Sequence, residues 1–279
     1  MLEIAAAIAK FLLYSGAFVA AGGAFAWATL GDALGEWSRR APLVIRIGAV
    51  IAIIGALANV AILATRLGGM FDEATLSAIR ESPTGVAAVL QTGGALALLA
   101  FASMGGWGVL ARMAGAFSLM ASFAANGHAA SVDLVSAIIA FVHVAAAAWW
   151  LGALLLLMPA TRTWNGEALV PLVRRFSQAA LAVVANLVAA GVLLVLTLVD
   201  FTRESWFTPY ARLLAFKIAL AAGVLALAAY NKFRLTPNLP DPDGRAVRAL
   251  GLSMVLEIAF ISVVLAVTAI MTTYTSPHS

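Results

Sequence analysis

The chain contains no cysteine. This excludes disulfides, thiolate metal sites, iron–sulfur clusters and c-type haem attachment, and leaves imidazole, thioether, carboxylate and backbone oxygen as possible metal ligands. Charge is scarce as well: Asp, Glu, Lys and Arg make up 11% of the 279 residues, against about a quarter in soluble domains. So few charges cannot solvate a surface in water. There are three histidines. The chain also lacks a phosphate-binding glycine loop, a dinucleotide fingerprint, a zinc-protease helix and a serine–histidine–aspartate arrangement, so no enzyme activity is expected.

What fills the chain instead is apolar. Hydrophobic residues make up 63% and the mean hydropathy is +1.00. Apolar runs of roughly 20 residues recur, each long enough at 1.5 Å per residue to cross a hydrocarbon core about 30 Å thick. Backbone polar groups in lipid must bond internally, so each run is expected to be a helix. The expected spans are Ile4–Leu30, Pro42–Thr65, Thr84–Met104, Trp107–Asn126, Val132–Met158, Arg175–Val199, Pro209–Tyr230 and Ala246–Tyr274. The fold class is therefore all-α, a polytopic membrane protein with eight transmembrane helices in a lipid bilayer. Arg66–Pro83 carries Leu76 and Ile79 among charges and predicts a short interfacial helix. Ala24-Phe25-Ala26 has the small-x-small form of a cleavage site, but Glu3, Lys10 and the length of the run favour a retained first helix.

The net charge of +4 does not point to nucleic acid, because the basic residues sit in short loops. Arg39, Arg40, Arg162, Arg174, Arg175, Lys232, Arg234, Arg245 and Arg248 follow helices 1, 5 and 7, whereas only Arg66, Arg80 and Arg203 follow helices 2, 4 and 6. The positive-inside rule puts the first set in the cytoplasm and both termini outside. The halves resemble each other. Pro42-Leu43-Val44-Ile45-Arg46 opens helix 2 and Pro171-Leu172-Val173-Arg174-Arg175 opens helix 6, while Ser82-Pro83 and Thr208-Pro209 open helices 3 and 7. This suggests a 4+4 internal repeat, residues 1–130 and 131–279, related by an axis along the membrane normal.

Charge inside a membrane is costly and usually faces an interior or a water-filled cavity. Glu257 lies about 15 Å into helix 8 from the inside, and Lys217 about 12 Å into helix 7 from the outside, so the two are expected to pair. His128 sits at the outer end of helix 4, and His143 about 16 Å into helix 5. Met271 matches His128 in depth, with Met120 and Met113 below it on helix 4. Imidazole and thioether together suit Cu(I), so these residues could form a copper column; methionine also serves as an adaptable packing residue. Haem b needs two axial nitrogens at similar depth, and His128 and His143 differ by about 16 Å along their helices. Trp149-Trp150 and the pairs Gly22-Gly23, Gly93-Gly94 and Gly105-Gly106 read as packing features. A haem-binding redox protein and a membrane anchor for a metalloprotein remain alternatives to copper transport.

Several strings resemble the copper resistance protein D (CopD) family of bacterial inner-membrane proteins. They are Arg174-Arg175-Phe176-Ser177, Thr208-Pro209-Tyr210-Ala211-Arg212-Leu213-Leu214 with Lys217, Asn231-Lys232-Phe233-Arg234-Leu235-Thr236-Pro237, and Glu257 with Thr268-Ala269. Upstream, Gly127-His128-Ala129 and His143 with Trp149-Trp150-Leu151-Gly152 are similar to the family too. The resemblance covers about residues 125–277, and the first half is diverged. It implies copper movement across the inner membrane, from the periplasm inward, beside a periplasmic copper-binding protein of the CopC type. It carries over His128, His143, Lys217 and Glu257 as matched positions. Ala20 stands where aligning Trp27 on Trp150 would place a counterpart of His143.

Overall fold

The computed structural model describes residues 1–69, 72–125, 133–198 and 208–275. Every element among them is helical. The long helices are α1 (Leu2–Leu34), α2 (Ala41–Arg66), α4 (Pro83–Phe101), α5 (Trp107–Ala125), α6 (Leu134–Leu157), α7 (Gly166–Leu198), α8 (Pro209–Tyr230) and α9 (Arg245–Tyr274). Between α2 and α4 lies the expected short helix, α3 (Glu73–Glu81). Its N-cap is Asp72, whose Oδ1 accepts from the Thr75 amide at 2.8 Å; hydrogen bonds from the Thr75 hydroxyl and amide hold the Asp72 carboxyl below its usual range.

Among the described residues seven helical stretches are long and apolar enough to cross a membrane. The first, Leu2–Arg66, doubles back on itself. Gly35, at φ +53°, takes a conformation that glycine alone adopts readily, and the tight turn Gly35–Arg40 then reverses the chain. α1 and α2 run side by side, with Gly16 against Ala52 and Gly48 against Ala20. One stretch therefore supplies two crossings, which makes eight among the described residues. The chain is a multi-pass all-α membrane protein.

Helix starts follow local chemistry. Ser82 caps α4 and Thr208 caps α8, each accepting an amide three residues on (3.1 and 3.2 Å), with proline next in sequence. Proline suits that position because its missing N–H has no helical partner there. α7 departs from expectation by beginning nine residues early. Asn165 Oδ1 accepts from the Ala168 amide at 2.9 Å, and Leu169, Leu172 and Val173 are buried. Capping and burial thus carry the helix through Pro171, which costs one hydrogen bond in an early turn.

Links between helices alternate between two faces. Trp164 Nε1 donates to Glu36 at 3.1 Å, and Gly166 lies against Leu239. The links after α1, α6 and α8 therefore share one face, the basic one. On the other face Arg66 pairs with Glu3 at 2.8 Å, and the Lys10 ammonium donates to the Thr272 carbonyl. The start of α1 and the end of α9 lie toward that face.

α1 and α6 form the centre. One core cluster joins α1, α2, α4, α5 and α6 with Leu265 of α9; the other joins α1, α6, α7, α8 and α9 with Ala41 of α2. Lipid tails are as apolar as side chains, so membrane helices associate through close packing of small residues. A Cβ on Gly22 would collide with the Ala148 carbonyl, and one on Gly152 with the Gly22 backbone. The glycine pairs differ in role. Gly94 packs on Gly115 and Leu119, whereas Gly93, Gly105 and Gly106 have nothing within 4 Å. Gly106 serves the turn before α5 through its φ of +56°. Gly152→Leu should lower stability by at least about 1–3 kcal/mol through overpacking, whereas Gly93→Ala should be neutral or stabilising by up to about 1 kcal/mol. Thermal unfolding of the two variants in detergent checks the contrast.

Candidate functional site

Glu257 is 1% exposed, at the centre of the second core cluster. Its Oε2 accepts from Trp150 Nε1 at 3.0 Å, and its Oε1 accepts from Asn231 Nδ2 at 2.7 Å. Three elements meet there. Trp150 comes from α6, packed beside Leu154, Leu250 and Met254. Asn231 follows α8, where the helix widens into a π-type turn, Asn231–Leu235. Thr236 Oγ1 donates to the Asn231 carbonyl at 2.8 Å and fixes that turn. Two further buried polar atoms, Asn231 Oδ1 and Ser253 Oγ, have no partner among the described residues. Ser253 is four residues before Glu257, on the same face of α9.

Among the described residues the carboxyl is thus held by two neutral donors and by no cation. The expected Lys217–Glu257 pair does not form: among the described residues the ion pairs are Arg66–Glu3, Arg80–Glu81 and Arg245–Asp243. Helical rise gives the reason. Asn231, at the far end of α8, reaches Glu257, and Lys217 lies fourteen residues away on that helix, about 21 Å. Glu257 therefore belongs near the basic face and Lys217 near the other.

Lys217 instead lies within electrostatic reach of His143. His143 Nδ1 bonds the Leu187 carbonyl of α7 at 3.1 Å, and Gly191, one turn on, leaves room for the ring. With Nδ1 protonated and donating, Nε2 presents its lone pair, the arrangement found in metal-binding histidines.

The methionines do not join this histidine. Met120 is fully buried in the first core cluster, with Met113 packed against it. The α6 residues in or against that cluster are Phe141, Val144, Ala145, Ala147, Ala148, Leu151 and Leu155, and at 100° per residue most lie roughly 130° around the helix from His143. Met271 is buried near the end of α9, next to Thr272, which bonds Tyr14 at 3.1 Å. His128 lies outside the described residues. Among the described residues no group of three or more His, Asp or Glu side chains could hold a metal ion, and His143 is the only histidine among them.

Sequence reasoning missed a second buried charge. Arg112 on α5 is 4% exposed. Its guanidinium lies over the Trp27 ring, 4.2 Å from the centroid, and Nη1 donates to the Ala102 carbonyl at the end of α4 at 3.2 Å. Trp27 Nε1 in turn donates to Ser38 at 2.7 Å. The rule that singled out Glu257, a charge inside an apolar run, would have found Arg112. Asn231 and Trp150 carried no such mark. Trp149 does behave as a packing residue, stacked on Phe176 at 5.8 Å and donating to Thr29 at 2.9 Å.

Comparison with known proteins bears on the same region. Residues 170–271 match the family model CopD, copper resistance protein D. No curated protein and no solved structure matches. The matched segment runs from α7 to α9 and contains Lys217, Asn231, Ser253 and Glu257. Over this segment, which is less than half of the chain, the protein is similar to the copper resistance protein D family.

Proposed function

We propose that the protein carries copper across the bacterial inner membrane, from the periplasm inward. The observation that supports this best is the Glu257 carboxyl, buried within the family-matched segment with two neutral donors and no cation. A buried charge without a partner is strongly unfavourable. A passing copper ion, with its positive charge, supplies the missing partner, and Asn231 Oδ1 and Ser253 Oγ offer oxygen beside it. Oxygen and imidazole donors without thiolate hold copper loosely, which suits passage over storage.

In this reading His143 is the earlier station. Its Nε2 receives the ion between α6 and α7. The nearby Lys217 ammonium repels a cation there and so shortens its stay. The basic links on one face favour the cytoplasm for that face by the positive-inside rule, and in this reading both termini are periplasmic. A periplasmic CopC-type protein would deliver the metal, and His128 and Met271, toward the outer face, would be the first residues to meet it. Met120 and Met113 act as packing residues.

The 4+4 repeat is part of the proposal. Trp150 engages Glu257 on the last helix of its half, and Trp27 engages Arg112 on the last helix of the other. α1 packs on α9 as α6 packs on α5. These matched pairs support two related halves around the α1–α6 contact, with opposite charges at corresponding places.

Cells with the protein should take up more copper than cells without it. His143→Ala should reduce that gain about tenfold or more, in line with the loss of a metal ligand, and Met120→Leu should leave it within about twofold, as a volume-conserving core change does. Glu257→Gln, which keeps the shape and removes the charge, should abolish the gain. Total cell copper by mass spectrometry, normalised to protein in the membrane fraction, checks all three. Equal accumulation with and without the wild-type protein overturns the proposal.

A further inference from the structure

A cavity of about 480 Å³ opens on the basic face, between the early turns of α7 and the link that follows α8. Arg174 lines one wall and Lys232 the other, with Ser177, Gln178 and Thr236 between them. Among the described residues neither cation takes part in an ion pair; Lys232 only lies over the neighbouring Phe233 ring, 5.7 Å from its centroid. Two unpaired cations and several neutral donors around one recess suit a phosphate group.

What continues from the recess along α7 is apolar. Leu181 lines the cavity, and it lies seven residues, two helical turns, beyond Arg174. Val188, Val192 and Leu196 follow on the same stripe, all exposed. The stripe from Leu181 to Leu196 is about 22 Å long at helical rise, more than one leaflet of hydrocarbon, which is half of about 30 Å. The recess sits where the span meets the basic face, at headgroup depth.

We infer that this recess is a binding site for an anionic phospholipid, its phosphate held by Arg174 and Lys232 and one acyl chain laid along Leu181 and Val188. A free phosphate ion would satisfy the cations and leave the apolar stripe uncovered. A zwitterionic lipid would cover the stripe and place its own ammonium beside two cations. The anionic lipid satisfies both features. The site is separate from Glu257 and His143, and the inference does not depend on copper transport.

The test is native mass spectrometry of the full-length protein, released from neutral detergent after incubation with equal amounts of phosphatidylglycerol and phosphatidylethanolamine. The wild type should retain phosphatidylglycerol in preference. Arg174→Ala/Lys232→Ala should lose that adduct about tenfold or more, from the loss of two basic groups at the membrane surface. Arg39→Ala/Arg162→Ala removes the same charge from the same face outside the recess and should retain it. Arg174→Lys/Lys232→Arg should also retain it, which separates loss of binding from loss of folding. Equal retention of both lipids by the wild type, or equal retention of phosphatidylglycerol by the two alanine pairs, overturns the inference. Displacement of the lipid by millimolar inorganic phosphate overturns it too, since the site would then be one for a free anion.

Discussion

The structure depends on holding a carboxyl group in a place without water. Glu257 is closed off on all sides, and its two oxygens are satisfied by an indole and an amide. Neither donor is on the helix that carries the acid. Trp150 is set by α6, which the Gly22–Gly152 approach locks against α1. Asn231 is set by the widened turn at the end of α8. Moving any one of these elements leaves a buried charged group with a lost bond, a penalty of about 1–3 kcal/mol or more. Packing by small residues and satisfaction of polar groups are thus coupled through one side chain.

Arg112 is a second solution to the same problem. Its charge is spread over the Trp27 face and aimed at carbonyls at the end of α4, where unsatisfied acceptors and the helix dipole both favour a cation. A guanidinium, planar and weakly hydrated, is suited to such a place where an ammonium would not be. Both charges lie toward the basic face. His143, bonded to the Leu187 carbonyl of α7, lies further from that face, so the interior holds polar groups at two depths.

Much of the architecture was legible because membrane spans obey a simple length and hydropathy rule, and the caps at Ser82 and Thr208 mark helix starts directly. α7 was misplaced because Pro171 looks like a start, while the signals that override it, the Asn165 cap and the burial of Leu169 and Leu172, need tertiary context. The Lys217–Glu257 pair failed for a geometric reason: depth counted from each helix end says nothing of which end of α8 faces Glu257, and Asn231 decides it. The methionine column failed because depth along α6 was counted and angle around it was not. Asn231 was hidden because an asparagine beyond a helix end is the most ordinary of residues. The family resemblance quoted its whole string, so the residue was on view without its role.

Copper flux into sealed vesicles containing only the purified protein tests the central claim most directly, with entry followed by a copper-sensitive dye trapped inside. The account predicts saturable entry well above that of protein-free vesicles. Entry no faster than in protein-free vesicles, from protein shown to be folded and inserted, would contradict it.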